Sequence, residues 1–500
     1  MKFRVKIHAI ETGKPIVVLN EDDAKELGVY VSDRVEISFD GRNSIALIDV
    51  TSSFVGEGKV GIFNEVKDLL NVKDGDDVEI KPTKRPKSVN FIRKKIKGGI
   101  LHGHEIRAII QDVVDNNLSN VELSAFVTAS YINGYNMDEI VALTNSMVET
   151  GQQIDFGDDV VDKHCIGGVA GNRTTLLLVP IIAAAGFTVP KTSSRAITSP
   201  SGTADTMEVL AGVEFKIDEV QDIVNRTNSC IIWGGAVNLA PADDKIIQVE
   251  YPLSIDPPGQ ILASVMAKKK SIGSDYVIID IPVGEGTKMS DTEAANTLAK
   301  KFIDLGKRLD IAVECLITDG TSPIGSGIGP ALEARDCLHA LRNKEPVDLI
   351  NKSLDLAGVL LELSGKVNKD MGRRMAEKIL ASGKAREKMM EIIEAQGGDP
   401  NITPEDIKLG KKTHRVESNC KGRVRHIDNK RISQVARATG APKDKSAGVY
   451  LHVKVGDSVK AGHPLFTLYS LSSRKLDDAI QLTNKLQPIK VGGVILNTLK

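Results

Sequence analysis

The sequence predicts a multidomain α/β fold. Its parts are a small N-terminal β-barrel-like domain, a helical domain plus an α/β domain, and a C-terminal α+β domain. Three observations predict this. The chain has 500 residues, too many for one ordinary domain and enough for about three. Residues 1–84 contain two similar stretches of short strands and turns. From about residue 158, short apolar strands alternate with helices and glycine turns, the pattern of an α/β core. The expected boundaries are 1–84 for the barrel, 85–158 with 240–275 for the helical domain, 159–239 with 276–340 for the α/β domain, and 341–500 for the last.

Each element has its own signal. One copy of the repeat runs Asn20-Glu21 to Leu27-Gly28-Val29 to Asp33-Arg34-Val35-Glu36-Ile37. The other runs Asn64-Glu65 to Leu70-Asn71-Val72 to Asp76-Asp77-Val78-Glu79-Ile80, with its later parts at an offset of 43. Each half reads as strand, short helix, turn, strand, and two halves could interleave into a closed barrel. The pair resembles the double-psi barrel of some archaeal ATPases. Lys81 to Lys97 is basic, contains Pro82 and Pro86, and reads as a linker. Ile106, Ile109, Ile110 and Val113 mark a helical face over 104–114. Asn136 with Glu139 forms a capping box for a helix through Ile140, Leu143 and Met147, which Gly151 is placed to end. Thr174 to Val189 is apolar but contains Pro180 and is too short to span a bilayer, so it reads as a buried core helix. Tyr276–Ile281 and Ala312–Thr318 read as buried strands, Gly365–Ala395 as charged helix, and residues after 412 as strands again. Gly448–Leu468 resembles the hairpins of biotinyl and lipoyl carriers without their modified lysine, and reads as a structural barrel piece.

Composition narrows the function. Lys plus Arg is 65 and Asp plus Glu is 66, a net charge of -1. That gives no whole-molecule field for a nucleic-acid polymer or an anionic membrane, so an anionic ligand must be held locally. Aromatic residues at 4% argue against base-stacking platforms. Five cysteines, at 165, 230, 315, 337 and 420, show neither metal-ligand nor redox-pair spacing. With no signal-peptide core in MKFRVKIHAIETG, the expectation is a reduced, soluble, cytoplasmic protein.

Four loops could carry chemistry. Asp162-Lys163-His164-Cys165-Ile166-Gly167-Gly168 follows a strand and precedes a helix; its N–H groups could hold an anion, or it is an ordinary turn. The stretch from Ser193 to Glu208 packs hydroxyls, Arg195, Gly202 and Thr203 into one loop, a donor density suited to phosphate. In it, Asp205 and Glu208 read as helix-start residues. Asp256-Pro257-Pro258-Gly259 is first a turn with a capping carboxyl, and otherwise a rigidly held acid; the helix after it carries Ser264 and Lys268–Lys270. Val283-Gly284-Glu285-Gly286-Thr287-Lys288 is a tight loop ending in a cation.

Together these loops resemble one family. Residues 86–475 are similar to thymidine and pyrimidine nucleoside phosphorylases. SSRAITSPSGTADTME matches the family's Ser-(Gly/Ser)-Arg signature, followed at the same distance by Gly-Thr-x-Asp-x-x-Glu. DKHCIGG resembles its phosphate loop, and Thr318-Asp319 through Pro323-Ile324-Gly325, Gly329 and Leu332-Glu333 matches a further block. Cys165 stands where the thymidine enzymes have serine, and Val249 or Glu250 falls where they bind a pyrimidine carbonyl with arginine. With the extra 84 residues, this set resembles the archaeal branch, the nucleoside monophosphate (AMP) phosphorylases.

The resemblance implies phosphorolysis of AMP, and of CMP and UMP, to free base and ribose 1,5-bisphosphate, with phosphate as co-substrate and no cofactor or metal. It implies that Lys163, Ser193 and Thr203 hold phosphate, with His164 beside it. Gly168, Ser194, Arg195, Ala196, Ile197, Thr198, Ser199, Thr203 and Ser264 would meet the nucleotide. Asp256 becomes the proton donor to the base, which requires a raised pKa, obtainable by burial. Lys288 is the first candidate for the 5′-phosphate, with Arg195 and Lys268 behind it. A cleft closing between helical and α/β domains and a homodimer or larger homo-oligomer are also implied. The alternatives are a pyrimidine nucleoside phosphorylase and an anthranilate-type phosphoribosyltransferase, whose Gly-Thr-Gly-Gly-Asp loop DKHCIGG does not supply. A non-catalytic binding protein on the same fold is the third.

Overall fold

The computed structural model describes residues 1–492. In chain order it opens with β1 (Lys2–Ile7), β2 (Ile16–Asn20), α1 (Glu21–Leu27), β3 (Arg34–Phe39), β4 (Arg42–Thr51), β5 (Lys59–Ile62), α2 (Asn64–Leu70) and β6 (Asp77–Pro82). Four helices follow: α3 (Ser88–Ile96), α4 (Gly103–Val114), α5 (Asn120–Asn133) and α6 (Met137–Glu149). The next stretch is β7 (Val161–Cys165), α7 (Thr175–Ala184), β8 (Val189–Ser193), α8 (Thr203–Met207), α9 (Ile217–Thr227) and β9 (Ser229–Trp233). Then come α10 (Pro241–Leu253), α11 (Pro258–Ser271), β10 (Tyr276–Val283), α12 (Thr292–Arg308), β11 (Ala312–Asp319) and β12 (Gly327–Ile328). Helices α13 (Pro330–Leu341), α14 (Val347–Leu363), α15 (Gly372–Ala381) and α16 (Lys384–Ala395) lead to β13 (Lys412–Glu417), β14 (Gly422–Ile427) and α17 (Asn429–Ala438). The described chain closes with β15 (Gly448–Leu451), β16 (Ser458–Val459), β17 (Pro464–Ser470), α18 (Ser473–Leu486) and β18 (Ile489–Gly492). These elements form two compact units, residues 1–151 with 240–264, and residues 152–239 with 265–492.

In the first unit, the six N-terminal strands close a barrel in the order β1-β5-β2-β4-β3-β6. The repeat explains the closure. β1 pairs parallel with β5 as β4 does with β2, and β1 pairs antiparallel with β6 as β4 does with β3. The two short helices end alike, on Gly28 at φ 72° and Asn71 at φ 56°, a left-handed cap that glycine and asparagine tolerate best. Asp33 and Asp76 each accept the N–H three residues earlier, from Tyr30 at 2.9 Å and Lys73 at 2.7 Å. Alternate residues such as Val17, Leu19, Val35, Ile37, Val60, Ile62, Val78 and Ile80 fill the interior. The halves differ in one detail: Asn20 caps α1, but Asn64 is the first helical residue of α2 and Phe63 occupies the cap.

The expected basic linker is shorter than its sequence suggests. β6 runs to Pro82 and α3 starts at Ser88, so Arg93, Lys94 and Lys95 lie on a helix. Lys95 is buried because Glu139 accepts from it at 2.7 Å and the Tyr135 ring lies 4.6 Å away. Glu139 also completes the capping box with Asn136.

The second unit carries the parallel sheet β11-β10-β7 and the parallel pair β8-β9, joined by a parallel bridge from Val160 to Thr188. Helix α7 is buried on all sides and, with α13, α14 and α16, forms the largest core. β10 is buried as expected. β11 is not: it pairs with β10 alone among the described strands, and its residues alternate between exposed and half-buried. The C-terminal residues make two antiparallel sheets, β12-β15-β17-β13 and β16-β14-β18, with α17 and α18. The carrier-like hairpin thus contributes strands to both sheets. No described helix is long and apolar enough to cross a membrane.

Candidate active site

Every parallel strand of the second unit ends at a loop that the sequence singles out or at its neighbour. β7 ends at Cys165, β8 at Ser193, β9 at Trp233, β10 at Val283 and β11 at Asp319. The carboxyl ends of parallel strands are where open α/β sheets bind ligands. Gly167 and Gly168, at φ 97° and 95°, turn the chain there in a conformation disfavoured for other residues. A Cβ on Gly168 would stand 2.6 Å from Cα of Thr287 and 2.8 Å from N of Lys288. The loops bearing Gly168 and Lys288 are therefore in direct backbone contact.

Beneath these loops lies a buried network of charges. The Asp162 carboxylate, fully buried, accepts from Lys269 at 2.6 Å and pairs with Lys191 at 3.1 Å. Asp280, also fully buried, pairs with Lys352 at 3.2 Å and Lys163 at 3.8 Å, and accepts from Thr318 at 2.6 Å. Lys163 donates to Thr174 Oγ1 at 3.0 Å. Burial alone would raise both carboxyls, but Lys191 and Lys269 outweigh it at Asp162, and Lys163 and Lys352 outweigh it at Asp280, so both sit below the usual range. Burial pushes Lys191 down, with Asp162 opposing. Four lysines thus gather around two carboxylates below the loops, two of them on helices α11 and α14. His164 is held well below its ordinary pKa by burial and by Lys269, Lys191 and Lys163. Burial and Asp280 push the Cys165 thiol up to about 11, so it is a neutral thiol accepting from Asn172 Nδ2 at 3.4 Å.

The loop from 193 to 208 is tightly built. Ser193 Oγ donates to the Ile232 carbonyl at 3.0 Å. Asp205 Oδ2 accepts from the N–H groups of Ala196 at 2.7 Å and Gly202 at 2.9 Å. A Cβ on Gly202 would meet Ser194 O at 2.6 Å, so only glycine lets the loop close on itself. Thr203 begins α8, while Ser194, Ile197, Thr198 and Ser199 are exposed. Asp205 is the helix-start residue expected. Glu208 is instead the C-cap of a five-residue helix, where its carboxylate pairs with Arg195 and Lys445. Arg195 spends its guanidinium on Glu208 at 2.7 and 2.6 Å and on Glu214 at 2.7 Å, and lies 5.0 Å over the Trp233 ring. Lys288 is exposed. Arg173 joins buried Glu333 and the Ser201 carbonyl, tying the same loop to α13.

Asp256 and Ser264 belong to the first unit. Asp256 is exposed in the link between α10 and α11, and Ser264 Oγ donates to Asp243 at 2.7 Å. Sequence reasoning missed the roles of Asp162, Lys191, Asp280 and Lys352 in the charge network. One signal was present: Asp280 is a lone carboxylate inside the apolar run YVIIDIPV. Among the described residues, Glu285, His426 and Asp428 bring metal-ligand atoms within 4.8 Å of one another, but Asp428 also caps α17 at 3.0 Å and faces Arg431 at 3.1 Å.

Comparisons with known proteins cover nearly the whole chain. Residues 89–151 match the helical bundle domain of a glycosyl transferase family and residues 157–386 its a/b domain. Residues 423–490 match the pyrimidine nucleoside phosphorylase C-terminal domain. An anthranilate phosphoribosyltransferase from Thermus thermophilus superposes on 61% of this chain and 98% of its own, with TM-score 0.53 and 19% identity, which shows a shared fold. The AMP phosphorylase of Thermococcus kodakarensis is 50% identical over 100% of this chain and 99% of its own. AMP phosphorylase 1 of Archaeoglobus fulgidus is 49% identical over 99% of this chain and 98% of its own. At that identity over full length, with the glycine loops and signature residues in place at the carboxyl edge of the sheet, the chain belongs to the AMP phosphorylase family.

Proposed function

We propose that the protein phosphorolyses AMP, and also CMP and UMP, giving free base and ribose 1,5-bisphosphate in cytoplasmic nucleotide turnover. The observation that carries the chemistry is the buried lysine pairing below the loops: Lys163 and Lys352 face Asp280, which pairs in register with Cys165, the last residue of β7. Ammonium groups below these loops favour a dianionic phosphate above them. Lys163, Ser193 and Thr203 bind inorganic phosphate, and neutral His164 lies beside it as a hydrogen-bonding group.

An oxygen of the phosphate attacks C1′ of the ribose as the bond from C1′ to the base nitrogen breaks. Positive charge builds on the sugar and negative charge on the base. The electron pair leaves with adenine, and Asp256 delivers a proton to a ring nitrogen. Asp256 is exposed in the structure, so the bound nucleotide must cover it for this transfer. Gly168, the 194–199 stretch, Thr203 and Ser264 bind the nucleotide. Lys288, exposed on the loop whose backbone meets Gly168, holds the 5′-phosphate. No step is assigned to a metal. The working form is a homodimer or larger.

The test is phosphorolysis of AMP, CMP and UMP beside adenosine, uridine and thymidine. Turnover of the monophosphates alone supports the reading. Turnover of nucleosides without AMP replaces it with a pyrimidine nucleoside phosphorylase. Activity lost to a chelator points instead to a phosphoribosyltransferase.

A further inference from the structure

The loop assigned to the nucleotide is held from more than 200 residues away. Arg437 lies in the last turn of α17, and its Nη1 donates to the carbonyls of Ile197 at 2.9 Å and Ser199 at 3.0 Å. One nitrogen on two carbonyls two residues apart fixes the backbone on either side of Thr198. Lys445, in the segment after α17, donates to Asp205 Oδ1 at 3.0 Å and pairs with Glu208 at 2.6 Å. Asp205 in turn accepts the Ala196 and Gly202 N–H groups with its other oxygen. The 437–445 stretch therefore grips the loop at its tip and at its base.

The loop needs that grip. Ile197, Thr198 and Ser199 are exposed, so no core packing orders them. A loop left unordered must be fixed when the ligand arrives, at the expense of affinity. We propose that Arg437 is a positioning residue: with Lys445 it pre-orders the 194–199 loop for the nucleotide and leaves phosphate binding and the chemical step to other groups. This rests on the assignment of that loop to the nucleotide.

The experiment compares full-length wild type with R437A, R437K and S199A. The readouts are amide hydrogen exchange across 195–201, KM for AMP, KM for phosphate, and kcat. R437A is expected to exchange faster there and to raise KM for AMP about 10-fold, the scale of a lost charge-assisted hydrogen bond. KM for phosphate and kcat should stay within about twofold. R437K recovers part of the loss, and guanidinium ion at non-denaturing concentration restores R437A. If R437A does not fold, K445M is measured in its place, with loop exchange and KM for AMP expected to rise in the same way. Unchanged loop exchange overturns the proposal. So does an equal change in both KM values and kcat, which is general damage. If S199A raises KM for AMP and R437A does not, the proposal fails while the nucleotide assignment stands. If neither moves it, the assignment falls and takes the proposal with it.

Discussion

Lys163 and His164 are neighbours in sequence with opposite electrostatic fates. The lysine has Asp280 and Thr174 as partners, whereas the imidazole meets burial and a surround of ammonium groups. His164 should therefore stay neutral well below pH 6.5, which NMR titration of its ring would read; a midpoint at the ordinary value would contradict the network. Its contribution to stability is intact above the unfolded pKa and is lost as pH falls from about 6.5 toward the depressed folded value. Asp336 works the other way. Burial pushes it up to about 6 despite N–H donors from Ser326 and Gly327, so its contribution is present below about 4 and lost as pH rises through about 6. Asp336→Asn should flatten that second limb in denaturant midpoints measured between those values. Asp256 is exposed, so Asp256→Asn should shift stability by no more than about 0.5 kcal/mol. The same change should cut phosphorolysis by about 100-fold or more. Unchanged turnover would remove Asp256 from the mechanism.

At the scale of elements, what was legible in the sequence was local or periodic. The capping box of α6 and the buried face of α4 were written within a few residues. So were the two barrel halves, because a repeat at a fixed offset imposes the same strands, helix and left-handed cap twice. The charge network was not legible. Asp162 meets Lys269 across 107 residues, and Arg437 meets Ile197 across 240, and nothing local marks either partner. The edge position of β11 was also hidden, since an apolar run does not say how many neighbours a strand will have. Two substitutions test the turns. Gly202→Ala would press a methyl on Ser194 O, so activity should fall sharply and the melting temperature drop. Asn71→Gly removes the left-handed cost at the α2 cap and should stabilise the protein by a few tenths to about 1 kcal/mol.

For the whole molecule, near-zero net charge and a local excess of lysine are compatible because Lys163, Lys191, Lys269 and Lys352 gather around only two carboxylates, Asp162 and Asp280. Phosphate or sulfate should raise the melting temperature, and above the dissociation constant the gain should grow with the logarithm of its concentration. At 100 times the dissociation constant the gain is about 2.7 kcal/mol. Lys163→Gln should lose most of that gain, and an equal gain in the variant would place the anion elsewhere. The N-terminal barrel has an internal symmetry with a further meaning. Its β2–β5 and β3–β6 pairings each join one half to the other and map onto themselves when the halves are exchanged, while β1–β5 maps onto β4–β2 and β1–β6 onto β4–β3. Each half thus offers the other the very edges it lacks. A barrel assembled from two separate copies of one half-length chain would leave no strand edge open, so the present domain has the architecture of a two-subunit assembly written into a single polypeptide.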